Sequence, residues 1–338
     1  MSILRALQKN RTDSADGEAI SPSVNIVPFN RNGRSDNNPP ELLSAADLKI
    51  GTPSSAFIGQ PYSSVGTALP DLETGITAGA NMNAETSTRA RIRQLPDFVS
   101  WAVDATRVEP RLVAITQPHS GYCEEYRSLR THVLHKSQRE KLQAIVVASV
   151  NPGEGKSVTA LNLSWLLAQT DGMRALIIDS DLRMPSLADY LGIETDKGLS
   201  DVLAGTATLT ESIVRLEPSG LHILAGGEAR PDVAELISGP KFKEILREAR
   251  EMFDYIIIDA PPLRIFTDAT VLINQADGAM IVIRADRTRY SEVERLLEPL
   301  PKERLLGVVL NQSEAVLDES NYTYGYYNYK RLNETVRP

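Results

Sequence analysis

Two hydrophobic patterns alternate along the chain from about residue 121 onward. Short Ile- and Val-rich runs predict strands buried on both faces, whereas apolar residues spaced three or four apart predict helices. Strands that alternate with helices are typical of a parallel sheet covered on both sides, so we predict an α/β fold with a doubly wound, mostly parallel sheet. The predicted strands are residues 143–149, 175–179, 221–225, 255–259, 279–284 and 305–310, and the predicted helices are residues 121–136, 156–170, 199–204, 232–238, 241–252, 268–275 and 291–298.

Both ends of the chain lack this pattern. Residues 11–95 are rich in Ser, Asn, Gly and Pro and keep neither period, which indicates a mostly disordered region. We expect order to begin between residues 97 and 110, where Phe98, Trp101 and Val103 are the first apolar anchors, and we interpret residues 111–115 as a short strand. The predicted division is a mostly disordered region at 1–96, a folded domain at 97–312 and a flexible, tyrosine-rich tail at 313–338.

Composition narrows the classes of function. The chain has 338 residues, a formal net charge of −8 and no dense Lys/Arg run, so we predict no nucleic-acid partner. The single cysteine, Cys123, excludes a disulfide framework or a cysteine-based metal site within one chain and fits a reducing cytosol. No segment approaches the eighteen or so apolar residues of a membrane span, so we expect a soluble, cytoplasmic protein.

The turn between the first long strand and the next helix, residues 150–157, carries the main candidate chemistry and is here called the P-loop. Gly153 and Gly155 leave backbone N–H groups free to surround phosphate oxygens at the positive end of a helix. Lys156 adds a mobile charge, and Ser157 offers a hydroxyl to a nucleotide-bound Mg²⁺. Val150 stands where the strict pattern has glycine, and the alternative is a surface turn with a solvated lysine. The flanking strand and helix favour the phosphate site.

Carboxylates follow two of the buried strands. Asp179 ends the strand 175–179 and is followed by Asp181, and Asp259 ends the strand 255–259 before an Ala-Pro-Pro turn. Because parallel strands end at one edge of the sheet, all three are expected beside the P-loop. Each aspartate alone is more typical of a turn cap, but together with the P-loop they indicate a Mg·ATP site for phosphoryl transfer.

Three segments together resemble a known family. Residues 149–157 read SVNPGEGKS, residues 176–183 read LIIDSDLR, and residues 256–262 read IIIDAPP. They resemble the Walker A, A′ and B motifs of the bacterial tyrosine kinases that serve capsule and exopolysaccharide synthesis. The resemblance spans about residues 109–311. It implies a MinD/ParA-like P-loop NTPase fold and an ATP-dependent protein-tyrosine autokinase of the cytoplasmic, kinase-only type.

The resemblance also implies roles for the site residues. Lys156 would stabilise the β- and γ-phosphates, and Asp179 would take the tyrosine proton, with the choice between Asp179 and Asp181 left open. Asn311 would approach the adenine, although a turn-forming asparagine is the alternative. The implied Mg²⁺ ligands are Ser157, Asp181 and Asp259. The residues expected at the nucleotide are Gly153, Glu154, Gly155, Lys156, Ser157, Val158 and Asn311.

A charged stripe lies on the predicted helix 121–136. Glu124, Arg127 and Arg130 are spaced at i, i+3 and i+6, and by spacing alone they form a solvated stripe with weak pairing. In the resembling family an E-x-x-R-x-x-R segment ahead of the P-loop contacts neighbouring subunits. The resemblance therefore implies a homo-oligomeric ring, an octamer, with this interface.

Five tyrosines crowd the segment 322–329. A short element cannot bury five rings on one face, and one interpretation is a platform that stacks on a base or sugar. In the resembling family such clusters are the phosphate acceptors and are modified by an adjacent subunit, which is the interpretation we favour. The predicted acceptors are Tyr322, Tyr324, Tyr326, Tyr327 and Tyr329.

The resemblance implies partners as well. A membrane polysaccharide co-polymerase would activate the kinase and recruit it to the inner face of the plasma membrane, and a protein tyrosine phosphatase would reverse the modification. The nearest rival function is a MinD/ParA-like switch ATPase, whose signature lysine would stand at position 151, where this chain has Asn151. A nucleotide-binding scaffold without turnover ranks last, because it would leave the strand-end aspartates inert.

Overall fold

A computed structural model describes the backbone of residues 25–28 and the whole of residues 96–313. Within these ranges the strands are β1 Asn25–Pro28, β2 Val99–Ala102, β3 Ala144–Ser149, β4 Ala175–Asp179, β5 Ile213–Glu217, β6 Leu221–Leu224, β7 Tyr255–Asp259, β8 Gly278–Arg284 and β9 Leu305–Asn311. They form one sheet in the order β1-β9-β8-β3-β7-β4-β6-β5-β2. Neighbours are parallel except in the pairs β1–β9 and β5–β6.

The helices of the described residues connect these strands. They are α1 Val113–Thr116, α2 Gly121–Arg139, α3 Lys156–Ala168, α4 Leu187–Leu191, α5 Leu199–Ala204, α6 Leu209–Ser212, α7 Val233–Ser238, α8 Pro240–Met252, α9 Asp268–Gln275 and α10 Tyr290–Leu297. Among residues 96–313, none of the helices combines the length and the apolar character that crossing a membrane requires.

Two apolar cores lie on opposite faces of the sheet. Along β3 and β7, Val146 and Ile258 belong to one core, while their chain neighbours Ile145 and Ile257 belong to the other. Residues of α7, α8 and α9 complete the first core, and residues of α1, α2 and α3 complete the second. The uninterrupted Ile/Val runs are thus explained by burial on both faces, and the predicted doubly wound α/β fold is confirmed.

The prediction of a strand at residues 111–115 was wrong, because residues 113–116 form α1 and residues 111 and 112 belong to no strand. The side chain of Asn162 on α3 holds the turn from both sides. Its Oδ1 accepts from the N–H of Ala114 at 2.9 Å, and its Nδ2 donates to the carbonyl of Arg111 at 3.1 Å. The apolar Val-Ala-Ile run favours a strand locally, but these contacts with a distant helix select one helical turn.

Several elements were not predicted. β5 pairs antiparallel with β6, and α4 and α6 are short turns of helix within connections. β1 lies within the region predicted to be mostly disordered, and it pairs antiparallel with β9, with Asn25 opposite Leu310. The remainder of the predicted disordered region, up to residue 95, and residues 314–338 with the tyrosine cluster lie outside the described residues.

Candidate active site

The P-loop has a backbone shaped to receive phosphate. Gly153 and Gly155 have φ values of +77° and +92°, which glycine adopts without strain. A Cβ at position 155 would lie 2.1 Å from Nδ2 of Asn311, so the close approach also requires glycine. α3 begins at Lys156, and no described side chain caps its first turn, so its N-terminal N–H groups are available to an anion.

Lys156 is the centre of a buried charged cluster. Its Nζ lies 3.0 Å from Oδ2 of Asp181, 3.3 Å from Oδ2 of Asp259 and 3.1 Å from Oγ of Ser157. Burial acts to lower the pKa of Lys156, but the attraction of Asp259 and Asp181 outweighs it and raises the pKa above the ordinary value. The lysine therefore carries its full charge at the mouth of the P-loop.

Asp179 and Asp259 lie directly opposite each other at the ends of β4 and β7, and both are fully buried. Burial and the charge of Asp259 raise the pKa of Asp179 to about 7. This happens although the N–H groups of Leu187 and Ser186 donate to Oδ2 of Asp179 at 3.0 and 2.9 Å. Burial also raises the pKa of Asp259, against the opposing charge of Lys156. The pair therefore retains a proton more readily than ordinary aspartates do.

Asp181 is the carboxylate nearest the surface. Its side chain is 9% exposed, whereas that of Asp259 is fully buried. Its backbone N–H donates to Oδ1 of Asp179 at 3.2 Å, so the two residues of the Asp-x-Asp segment are held together. The structure thus places one buried and one accessible carboxylate after β4.

The site residues suit a magnesium ion that arrives with a nucleotide. Oγ of Ser157 donates to Oδ2 of Asp259 at 2.6 Å, and Oδ1 of Asp259 is buried without a hydrogen-bond partner among the described residues. Hydroxyl and carboxylate oxygens are ligands that Mg²⁺ prefers, with phosphate and water completing its shell. Among residues 96–313, no three His, Cys, Asp or Glu side chains form a metal site by themselves.

The side chain of Glu154 stabilises the P-loop through hydrogen bonds with Asn151 and Thr288, a role that the sequence analysis missed. It is almost fully buried, and its Oε2 accepts from the N–H of Asn151 at 2.8 Å. Its Oε1 accepts from Nδ2 of Asn151 at 3.3 Å and from the hydroxyl of Thr288, in the loop after β8. A glutamate inside a phosphate-binding loop is the sequence signal, because its charge opposes phosphate unless it is turned away and hydrogen-bonded.

Asn311, at the end of β9, also supports the P-loop. Its Nδ2 donates to the carbonyl of Glu154 at 2.8 Å, and its Oδ1 accepts from the N–H of Gln312 at 3.0 Å. The predicted contact with adenine stays a prediction. Val158 lies in the first turn of α3 and is buried, so a contribution of this residue to the nucleotide site would come from its backbone N–H.

The charged stripe on α2 divides in two. Arg127 pairs with Glu124 on the surface, and its Nη2 donates to the carbonyl of Pro118 at 2.7 Å. Arg130 is half-buried and turns towards α3, where its Nη1 donates to the carbonyl of Leu166 at 3.4 Å. The predicted subunit interface stays a prediction, and the five acceptor tyrosines lie outside the described residues.

Lys156, Ser157 and three aspartates come together from three parallel strands, at the sheet edge where doubly wound folds bind ligands. A glycine-shaped loop, an uncapped helix start and a buried lysine are the parts that bind nucleotide phosphates. The fold and the site therefore define a P-loop nucleotide-binding protein of the α/β class.

Comparisons with known proteins identify the family. A family model described as an AAA domain matches residues 142–303. Tyrosine-protein kinase YwqD of Bacillus subtilis is 34% identical over 227 residues, covering 67% of this chain and 94% of that kinase. The putative tyrosine-protein kinase EpsB of Ralstonia nicotianae is 31% identical over 235 residues, covering 67% of this chain but 31% of EpsB. The crystal structure of the chimerical protein CapA2B2 is similar with a TM-score of 0.55 and 29% identity, over 63% of this chain and 92% of that one. The chain belongs to the bacterial tyrosine-protein kinase family.

Proposed function

We propose that the protein is an ATP-dependent protein-tyrosine autokinase that phosphorylates the tyrosine cluster 322–329 in trans. In this proposal it regulates the polymerisation and export of an exopolysaccharide or capsule. The observation that carries the proposal is the placement of Lys156 between Asp181 and Asp259 at the P-loop. Kinship with named tyrosine-protein kinases supports tyrosine as the acceptor.

The P-loop residues divide the work of binding ATP. N–H groups of Gly153, Gly155 and the first turn of α3 would surround the β- and γ-phosphates, and Lys156 would move from its carboxylate partners to the transferring phosphate. Ser157 and Asp259, with Asp181 beside them, would hold Mg²⁺. The bound ion would neutralise phosphate charge, and the protein would supply position and orientation.

Transfer joins the tyrosine oxygen to the γ-phosphorus, breaks the bond from that phosphorus to the β–γ bridging oxygen, releases ADP and delivers the phenolic proton to a carboxylate. Two carboxylates are candidates for that proton. Asp179 is favoured by its pKa of about 7, close to the working range of a general base. Asp181 is favoured by access, because Asp179 is fully buried and already accepts three backbone N–H groups.

The proposed cycle needs a second copy and partners. Phosphates on the tail would add negative charge, and repulsion between neighbouring copies would dissolve a ring built through Glu124, Arg127 and Arg130. We infer that this chain takes a separate membrane polysaccharide co-polymerase as activator, which would recruit it to the inner face of the membrane, and a protein tyrosine phosphatase.

A direct test incubates the full-length protein with Mg·ATP, with and without a fragment of a candidate activator. Phosphate is mapped by mass spectrometry, and Lys156→Met is the inactive control. Phosphotyrosine within residues 322–329 is the expected result. ATP hydrolysis without phosphotyrosine would instead favour the MinD/ParA-like switch ATPase, although Asn151 in place of the signature lysine argues against that function.

A further inference from the structure

Two exposed apolar side chains lie at the edge of the sheet that carries the catalytic residues. Within residues 96–313, the exposed large hydrophobic residues are Val99 (66%), Met184 (77%) and Ile265 (52%). Val99 lies on β2, the strand at the far side of the sheet. Met184 and Ile265 instead follow β4 and β7, the strands that end in Asp179 and Asp259.

Both side chains are carried by turns that are bonded to catalytic backbone. The N–H of Met184 donates to the carbonyl of Asp181 at 3.0 Å, which closes a turn that begins at the accessible carboxylate. On the other side, the N–H of Arg264 donates to the carbonyl of Val150 in the P-loop at 3.2 Å, and Ile265 is the next residue. The positions of both residues are therefore tied to the reacting groups.

A single arginine joins the two turns. The guanidinium carbon of Arg183 lies 4.4 Å from the centre of the Phe266 ring, and its Nε donates to Oδ2 of Asp268 at 2.9 Å. Met184 is the chain neighbour of the arginine and Ile265 is that of the phenylalanine, so the contact of Arg183 with Phe266 links the two turns that carry the exposed side chains. We name Met184, Ile265 and Phe266 the apolar lip.

We propose that the apolar lip holds the acceptor rings of the tyrosine cluster 322–329 from a second copy of this chain. The inference rests on the proposed function and deepens it by naming how the acceptor is held. A tyrosine presents an apolar ring with a polar hydroxyl at its tip, so a ring on the lip can turn its hydroxyl towards Asp181. Residues 321–329 contain no charged side chain, so the carboxylates of the site do not repel them.

The tail begins at the correct edge. β9 is parallel to β8 and, through it, to β3, β7 and β4, so the chain leaves Asn311 at the edge where the catalytic strands end. Nine residue steps lead from Ser313 to Tyr322, and they span up to about 30 Å when extended. Four strand spacings separate β9 from β4, or about 19 Å. The tail is therefore long enough to extend past its own edge of the sheet, and a dilution series distinguishes delivery to a second copy from delivery to the chain's own site.

The test uses two full-length forms. The kinase form has the five cluster tyrosines replaced by serine, and the acceptor form is Lys156→Met with an intact tail. Met184→Ser and Ile265→Ser are combined in the kinase form, and Val99→Ser is the matched control because it removes an exposed apolar side chain far from the site. We expect the KM for the acceptor form to rise about tenfold in the double variant, with the KM for ATP and kcat unchanged.

Binding is measured separately from catalysis. A labelled peptide of residues 318–330 is titrated into the Lys156→Met form with and without the two lip substitutions, and a peptide with serine in place of tyrosine is the control. Weaker binding to the lip variant supports the proposal, even where no phosphotyrosine forms and the proposed function itself fails. Equal binding to both forms, an equal effect of Val99→Ser, or a smaller particle by light scattering in the lip variant would overturn it.

A dilution series tests which copy supplies the tail. A phosphorylation rate that is independent of dilution in the intact protein would show that the chain's own tail, and not that of a second copy, is the acceptor.

Discussion

The two ends of the central strands bury polar groups in opposite ways. At the carboxyl end, Lys156 lies among Asp181, Asp259 and Ser157, and every contact involves a charge. At the amino end, His222 of β6 is almost fully buried between Phe98 and Phe253, with ring centres 5.0 Å from each. Burial, with a smaller contribution from Arg215, lowers the pKa of His222 to about 4, so the ring is neutral at pH 7.

This difference separates function from stability within one sheet. Burying several charges costs desolvation energy that apolar residues avoid, so a charged cluster of this kind is poorly explained by stability. A neutral ring among aromatic rings is well explained by packing. We therefore expect substitutions at the carboxyl end to act mainly on phosphoryl transfer, and substitutions at the amino end to act on unfolding.

Lys156→Met is expected to have the largest effect. Tyrosine phosphorylation should fall by about a thousandfold, because the developing charge on the transferring phosphate loses its fixed cation. The initial rate of phosphotyrosine formation measures this. Lys197→Met is the control, since among residues 96–313 that lysine forms an exposed ion pair with Glu211. A similar loss in both variants would contradict the special role of Lys156.

Asp179→Asn and Asp181→Asn should separate the two candidate bases, each with a loss of about a hundredfold if it takes the proton. Only the ionised carboxylate accepts a proton, so a base with a pKa of about 7 gives a kcat that rises with pH through that value. If Asp179 is the base, this limb of the pH–rate profile disappears in Asp179→Asn and persists in Asp181→Asn. A hundredfold loss in Asp181→Asn, with activity retained in Asp179→Asn, assigns the role to Asp181.

His222→Leu tests the amino end through the pH dependence of unfolding. The folded pKa of about 4 lies below the unfolded value of 6.5, so the unfolded chain binds the proton first. The stabilisation is complete above about pH 6.5 and is lost as the pH falls towards 4, by up to about 3 kcal/mol. Urea unfolding across this pH range should show a smaller loss of unfolding free energy in His222→Leu than in the unsubstituted protein. His132→Leu replaces an exposed histidine of α2 and should lose as much unfolding free energy over this pH range as the unsubstituted protein does.

Thr288→Val should have the smallest effect. It removes one hydrogen bond to Glu154 and loosens the P-loop without removing a charged side chain, so the Kd for ADP should rise about fivefold, or about 1 kcal/mol. A fluorescent nucleotide titration measures the change. Thr288→Ser keeps the hydroxyl and should restore binding. Equal Kd values in the two variants would contradict a role of the Thr288–Glu154 hydrogen bond in nucleotide binding.

Much of the architecture could be predicted from the sequence because it follows from local pattern. The strands β4 and β7 have the predicted bounds, since an apolar run of five residues that ends in aspartate and a turn suits a central parallel strand. The same logic placed Asp179 and Asp259 at one edge. It was wrong at residues 111–115, where contacts with Asn162 outweigh β propensity. The boundaries of the predicted disordered region 1–96 and of the tyrosine-rich tail 313–338 stay a prediction.

By itself, then, the sequence determined the class of fold, the P-loop and the edge at which carboxylates meet it, because backbone periodicity and strand direction are local properties. Only the tertiary structure decided which aspartate is accessible, that Glu154 reaches Thr288, and that Met184 and Ile265 are exposed on turns bonded to the backbone of Asp181 and Val150. Those features depend on distances and burial between residues that are far apart in the chain. A pKa or a hydrogen bond of that kind has no signature in the spacing of residues.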